Sequence, residues 1–213
     1  MISTKDAEPI TLHDIVLYDE AGQPWRKYKT VTLAGEALKD ANCSYIRRTQ
    51  DEWISHYAER KESLPSLPLV YAIIEKLCEE KNPAGALILT ELHRYSMCTS
   101  TRNNYESNTI IHDYGRLPIK IDCPVPKKGG WAKDVTKEKW RTTLQALLMC
   151  RDVDKAVNII EGFSKVHFYL GSASNTESSP VRAAFVNILT NKFDMSCGYI
   201  LDMAGISRSV TLE

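Results

Sequence analysis

The chain has 213 residues, 43% hydrophobic and 25% charged, with 27 Lys or Arg against 27 Asp or Glu. That composition excludes wholesale disorder and supplies enough apolar surface for a core without disulfides or metal. Zero net charge excludes a global field that would steer the chain onto nucleic acid or acidic membranes.

The first eight residues, Met1 to Glu8, are polar and lack the basic start and apolar centre of a secretory signal. The longest apolar stretch, Leu67 to Ile74, is too short to cross a bilayer. A soluble, cytoplasmic protein with no membrane contact is therefore expected. Cys43, Cys78, Cys98, Cys123, Cys150 and Cys197 are scattered singly with no CxxC pair, which favours free thiols over a disulfide framework. Charge is uneven along the chain. Residues 116 to 141 hold eight Lys or Arg against three acids, whereas residues 1 to 107 hold thirteen against sixteen.

In chain order, Ile10 to Leu33 reads as two β segments around the turn-forming run Asp19 to Pro24. A helix over Leu12 to Val16, capped by Thr11, is the competing reading. Thr49 to Lys61 predicts a helix, because Thr49 and Glu52 have the spacing of a capping box. Leu67 to Lys81 predicts another. Leu69, Val70, Ile73, Ile74 and Leu77 form one apolar stripe, Pro68 suits the first turn and Pro83 enforces a stop. Ala84 to Ser96 is a further helix, although Ala86 to Leu89 also fits a buried strand. Thr99 to Asn108 reads as a polar loop. Thr109 to Tyr114 and Ile119 to Val125 read as a hairpin around Gly115 to Pro118.

Pro124, Pro126, Gly129 and Gly130 mark the one place, 124–135, where an otherwise single compact domain over 1–213 would divide. Beyond it, Trp140, Leu144, Leu147 and Leu148 define one helix, and Val153, Ala156, Val157, Ile160 and Phe163 the next. Val166 to Leu170 reads as a buried strand. Val181, Ala184, Phe185, Ile188 and Leu189 then read as a helix, followed by strands over Tyr199 to Met203 and Ser209 to Leu212. Strand, helix, strand is a βαβ unit with two parallel central strands. The expected architecture is therefore α/β or α+β, with a largely helical N-terminal half and a mixed sheet built on a C-terminal βαβ unit.

Two segments suggest binding chemistry. The loop from Gly171 to Ser179 follows a strand and enters the expected helix, with Ser179 as N-cap and Pro180 at the first position. Free amides at such a helix start, the hydroxyls of Ser172 and Ser174, and Arg182 in the first turn make an anion site. An ordinary crossover loop explains the same residues, and the segment matches neither GxxxxGK[ST] nor GxGxxG, so no cofactor is expected. The second is basic and aromatic: Lys127, Lys128, Trp131 and Lys133, running on to Arg141. Its cations can neutralise phosphates and Trp131 can stack on a base. Trp25 to Lys29, Tyr45 to Arg48 and Arg102 to Tyr105 repeat the mixture, and a solvated charged surface is the plain alternative.

Catalytic patterns are weaker. His93, His112, Asp113, Asp122 and Cys123 supply acid, base and ligand types without metal-ligand spacing, so no metal is expected. A turn at Gly115 would set Asp113 across from Lys120 as a cross-strand ion pair. Asp122 is not followed by an acid-x-Lys strand of the nuclease kind, no GxSxG elbow is present, and Cys98 with His112 is only a pairing of types. The function expected is non-catalytic binding of a phosphate-bearing partner, nucleic acid or nucleotide. A metal-dependent phosphate-ester hydrolase or nuclease using acids near Asp113 and Asp122, and a structural assembly subunit, are the alternatives.

Overall fold

Turn residues at Asp19 to Pro24 fold the start of the chain back on itself. β1 (Ile10–Tyr18) pairs antiparallel with β2 (Pro24–Leu33), as the sequence predicts, and the competing helix does not form. The computed structural model describes residues 8–92, 94–125, 130–131, 138–164, 167–170, 180–189, 192–199 and 205–213. The boundary expected at 124–135 falls mostly outside this set.

Three helices follow. α1 (Gln50–Ala58) starts at Thr49, whose hydroxyl accepts from the Glu52 amide while the Glu52 carboxylate accepts from the Thr49 amide. Thr49→Ala should therefore cost about 1 kcal/mol, read as a lower urea midpoint with an unchanged slope. No shift in midpoint would show that α1 is held by packing alone. α2 (Leu67–Glu79) buries Leu69, Val70, Ile73, Ile74 and Leu77, the expected stripe, and packs on β1 with other faces against helices. α3 (Ala84–Leu92) completes the group.

The polar loop expected at Thr99 to Asn108 is mostly a strand. β3 (Ser96–Asn104) lies inside a sheet, with Met97 to Asn103 all buried. It pairs with β4 (Thr109–His112) on one edge and β8 (Val181–Leu189) on the other. β4 and β5 (Ile119–Asp122) form the expected hairpin, with Ile111 rather than Asp113 opposite Lys120. Asp113 lies beyond the ladder, at φ 51, and is free to bond elsewhere. α4 (Glu138–Leu148) and α5 (Val153–Ser164) form as expected.

The C-terminal region differs from the expected βαβ unit. β7 (His167–Leu170) matches its prediction, but Val181 to Leu189 is the strand β8 and not a helix. An apolar run with both faces covered satisfies either period, and here the sheet neighbours β3 and β9 (Lys192–Tyr199) on its two edges decide it. β9 lies ahead of the strand expected at Tyr199 to Met203, whose later residues fall outside the described set. β7 and β9 are parallel neighbours, but β9 is not the strand expected to pair with Val166 to Leu170, and β8, not a helix, lies between them in sequence.

The large sheet runs β5-β4-β3-β8-β9-β7-β6, where β6 is Gly130–Trp131, and β10 (Gly205–Ile206) adds in parallel to the far end of β3. It mixes parallel and antiparallel pairs. β11 (Val210–Leu212) returns antiparallel as expected, but to β2, making a separate three-stranded sheet β1-β2-β11. Strands thus share the N-terminal half with the helices, and the architecture is α+β. Helices α2, α4 and α5 fill the main core with β1, β2 and β11, while Trp53 and Tyr57 of α1 anchor a second cluster with Leu64, Cys98, Ala183 and Phe185. No helix among the described residues is long and apolar enough to cross a membrane.

Candidate anion pocket

α1 ends by turning its chain into a left-handed residue. The Lys61 amide donates to the Ala58 carbonyl at 3.1 Å and the Glu62 amide to Tyr57 at 2.9 Å, with Lys61 at φ 60. This is a Schellman closure with Lys where Gly is usual, and α2 closes on Lys81 in the same way. The next residue, Ser63, exchanges two backbone hydrogen bonds with Val210, which fixes the segment 61–64 against β11.

The β4–β5 turn comes to the same place. The Tyr114 amide donates to the Ser100 carbonyl at 3.1 Å, Gly115 takes φ 88, and a side chain there would run into Ile54. Arg116 Nη1 then reaches Ser63 Oγ at 3.2 Å. Between these pieces lies a cavity of about 240 Å³, walled by Ile54, Ala58, Leu64, Leu69 and Leu212 on its apolar side. Lys61, Glu62, Ser63, Ser100, Asp113 and Arg116 supply its polar side.

The charges here are unequally compensated. Asp113 is 6% exposed and accepts from Arg26 Nη1 at 2.6 Å and from the Tyr28 hydroxyl at 3.3 Å. Burial and the Asp113 charge push the Tyr28 phenol up to about 12, so it stays a donor. Lys61 and Arg116 have no carboxylate partner among the described residues. Counting Arg26 with Asp113, the pocket carries one net positive charge. Ser100 is 1% exposed, and its hydroxyl has no hydrogen-bond partner. A buried hydroxyl left unpaired costs on the order of 1–3 kcal/mol.

A larger groove, about 970 Å³, runs between the β1–β2 turn and the start of α5. Its charges are mostly matched within the protein: Arg141 holds Asp154 through two 2.8 Å bonds, and Lys155 bridges Glu75 and Glu79 at 2.8 and 2.6 Å. Arg151 is the lining cation with no such ion pair among the described residues.

The acid/base candidates do not assemble. Asp122 stands at the opposite end of the β4–β5 hairpin from Asp113, roughly 13 Å away by strand rise. It is solvent-exposed and pairs with Lys120 at 3.5 Å. His112 is fully buried, with Nε2 donating to the Ala146 carbonyl at 2.7 Å and Nδ1 accepting from Thr101 Oγ1 at 2.8 Å. Thr101 Oγ1 in turn accepts from the Leu67 amide at 2.9 Å, so the ring ties β4 to β3 and to the ends of α2 and α4. Burial pushes the Cys98 thiol up to about 12, the reverse of nucleophile activation. Cys43, Cys78, Cys98, Cys123 and Cys150 are all free thiols. Among the described residues no group of three or more His, Cys, Asp or Glu is placed to hold a metal.

Of the anion loop, Gly171, Ser172, Ser174 and Ser179 lie outside the described residues, as do Lys127, Lys128, Lys133 and His93. Trp131 lies on β6. Arg182 is buried on β8, opposite Asn103 and Tyr199, so the helix start that its role assumed is absent. The four basic and aromatic segments divide. Arg26 of the first bonds to Asp113 and to the Leu117 carbonyl, which brings Trp25 to Lys29 against the β4–β5 turn. Arg102 is instead interior, donating to Gln50 and Asp51 and stacking 3.5 Å over Tyr114, and Tyr105 is buried. Arg48 stacks on Trp53 at 5.5 Å, beside α1. Lys61, Ser63, Ser100 and Arg116 carry no local motif, and their one sequence signal is a turn, Gly115-Arg116, next to an unpaired cation. Comparison with protein-family models, with curated proteins and with solved structures finds no match.

Proposed function

We propose that the protein is a non-catalytic binder of a phosphate-bearing partner, nucleic acid or nucleotide, and that the pocket beside α1 receives the phosphate. The observation that carries this reading is the pair Lys61 and Arg116, neither held in an ion pair by a described carboxylate, which leaves the pocket one net positive charge after Glu62 is counted. Charge-assisted bonds from such groups to phosphate are each worth about 1.5–3 kcal/mol. The binding reading is favoured over hydrolysis because Asp113, Cys98 and His112 are engaged or held in unreactive forms, while Asp122 stands apart from them. The basic run Lys127, Lys128, Trp131 and Lys133 and the loop Gly171, Ser172, Ser174, Ser179 remain part of the proposal as further contacts for a longer partner.

The test is titration of labelled single-stranded oligonucleotide and of a nucleotide against wild type and the pair Lys61→Gln/Arg116→Gln at two salt concentrations. Wild type should bind one of them, and the double variant should bind at least about tenfold more weakly, with a shallower salt dependence. Equal affinity and equal slope would remove the pocket from the interaction. Binding by neither form would end the phosphate reading and leave an assembly role, for which Trp25, Tyr114 and Leu117 offer exposed apolar surface.

A further inference from the structure

Resting on that reading, we infer that Ser63 is a phosphorylation site whose phosphoryl group occupies the pocket beside α1 and switches off its uptake of a phosphate-bearing partner. Ser63 lies in the connection from α1 to α2 and is half-buried, whereas Ser66 in the same connection is fully buried. Its backbone is pinned by the 2.8 and 2.9 Å bonds it exchanges with Val210, so its side chain starts from a fixed point on the cavity wall. Arg116 Nη1 donates to Ser63 Oγ at 3.2 Å in a bond that lies at the surface. Neither Arg116 nor Lys61 is held in an ion pair by a described carboxylate. A neutral hydroxyl is a weak partner for a guanidinium, which binds phosphate through two parallel N–H bonds.

Phosphorylation moves the γ-phosphoryl group of a nucleoside triphosphate onto Oγ. The new Oγ–P bond replaces the bridging P–O bond, the nucleoside diphosphate departs and the hydroxyl proton passes to a base on the kinase. The kinase is a separate protein, and it reaches Ser63 when the two-bond bridge to Val210 opens locally. The product carries about −1.5 to −2 charges and three strong acceptor oxygens. The cavity of about 240 Å³ has room for them, since three waters take roughly 90 Å³ of liquid. Arg116 is exposed, so its guanidinium can withdraw by a bond length and face the phosphoryl oxygens. Lys61, also exposed, adds a second cation, while the Glu62 carboxylate opposes the new charge. Asp113 is offset by Arg26. Over these five groups, the pocket passes from one net positive charge to a net negative one. An external phosphate then meets repulsion, and the cations that would gather it are engaged.

Genetic encoding of phosphoserine in place of Ser63, in wild type and in Arg116→Gln, tests the site and the switch. The phosphoryl group should raise the thermal midpoint of the wild type by about 3 °C or more, and Arg116→Gln should remove at least half of that gain. The labelled oligonucleotide or nucleotide bound by the unmodified protein should bind the phosphorylated form at least about tenfold more weakly. Ser63→Asp and Ser63→Asn repeat the comparison with matched shapes, and only the Asp variant should lose probe affinity. A midpoint that stays or falls on phosphorylation, or a gain that survives Arg116→Gln in full, overturns the site. If the phosphorylated form binds the probe as tightly as the unmodified one, the switch is overturned and the phosphate reading stands. If the unmodified protein binds no probe while Arg116 still stabilises the phosphorylated form, the phosphate reading and the switch fall, and Ser63 stands as a phosphorylation site.

Discussion

Arg208→Met is expected to lower the stability of the folded protein by about 3–5 kcal/mol, the range for breaking a buried ion pair from one side. Arg208 is fully enclosed, and its Nε and Nη2 both lie 2.8 Å from Glu91 Oε2. Its Nη1 donates to the carbonyls of Ala34 at 2.8 Å and Gly35 at 2.6 Å. One side chain thereby joins the segment before β11 to α3 and to the chain leaving β2. Removing the guanidinium leaves the Glu91 carboxylate, among the described residues, with the Tyr45 hydroxyl at 3.3 Å, and strands two carbonyls. Arg208→Met/Glu91→Leu should cost less than the sum of its parts, since neither charge is then left alone. Urea denaturation of the three variants measures both quantities. A loss below about 1 kcal/mol for Arg208→Met would mean that water reaches Glu91 and that the pair is not the clamp described.

The second large effect is on acid stability. His112 is held neutral: burial depresses its pKa to about 4, outweighing the Ala146 carbonyl and Asp113, which act in the other direction. The unfolded chain titrates near the ordinary value of about 6.5. Above that value neither state binds the proton, and His112 gives stability no pH dependence. As pH falls from about 6.5 towards about 4, the unfolded state takes up a proton that the folded state refuses, and stability declines. Between about pH 7.5 and pH 5 the loss amounts to about 2 kcal/mol. His112→Gln should be less stable at neutral pH, because the bonds to Thr101 and Ala146 are disturbed, yet show a flatter pH dependence over that window. Urea midpoints for both proteins at several pH values provide the comparison. Parallel curves would show that the ring takes its proton inside the fold.

Elements whose signal is local were legible from the sequence. The Thr49 and Glu52 pair marked the start of α1, the Leu69 to Leu77 stripe marked α2, and two turn sequences placed the β1–β2 and β4–β5 hairpins. β3 was not legible, because its Thr and Arg residues become interior only through distant partners. Thr99 donates to the Ala184 carbonyl, Thr101 to His112, and Gln50 caps the carbonyls of Thr99 and Thr101. Nothing within Ser96 to Asn104 announces those partners, so polarity read as loop. β8 failed for the opposite reason, since Val181, Ala184, Phe185, Ile188 and Leu189 fit a helical stripe as well as a doubly covered strand. The pocket was hidden by distance: Lys61, Ser100 and Arg116 meet through the bonds of Ser63 to Val210, Tyr114 to Ser100 and Arg116 to Ser63.

β11 also sets when the pocket beside α1 can form. Val210 is held on both sides, by Leu33 of β2 and by Ser63, and the two contacts span most of the chain. Such long-range closures carry the largest loop entropy and are late events in folding. Leu212 and Ser63 both line the pocket, so its walls meet only once this strand has docked. A chain that has already collapsed around α2 but not yet seated Val210 would be compact, largely structured and without this pocket. Closure of the pocket would then trail compaction in a refolding experiment, and the lag would report the docking of one three-residue strand.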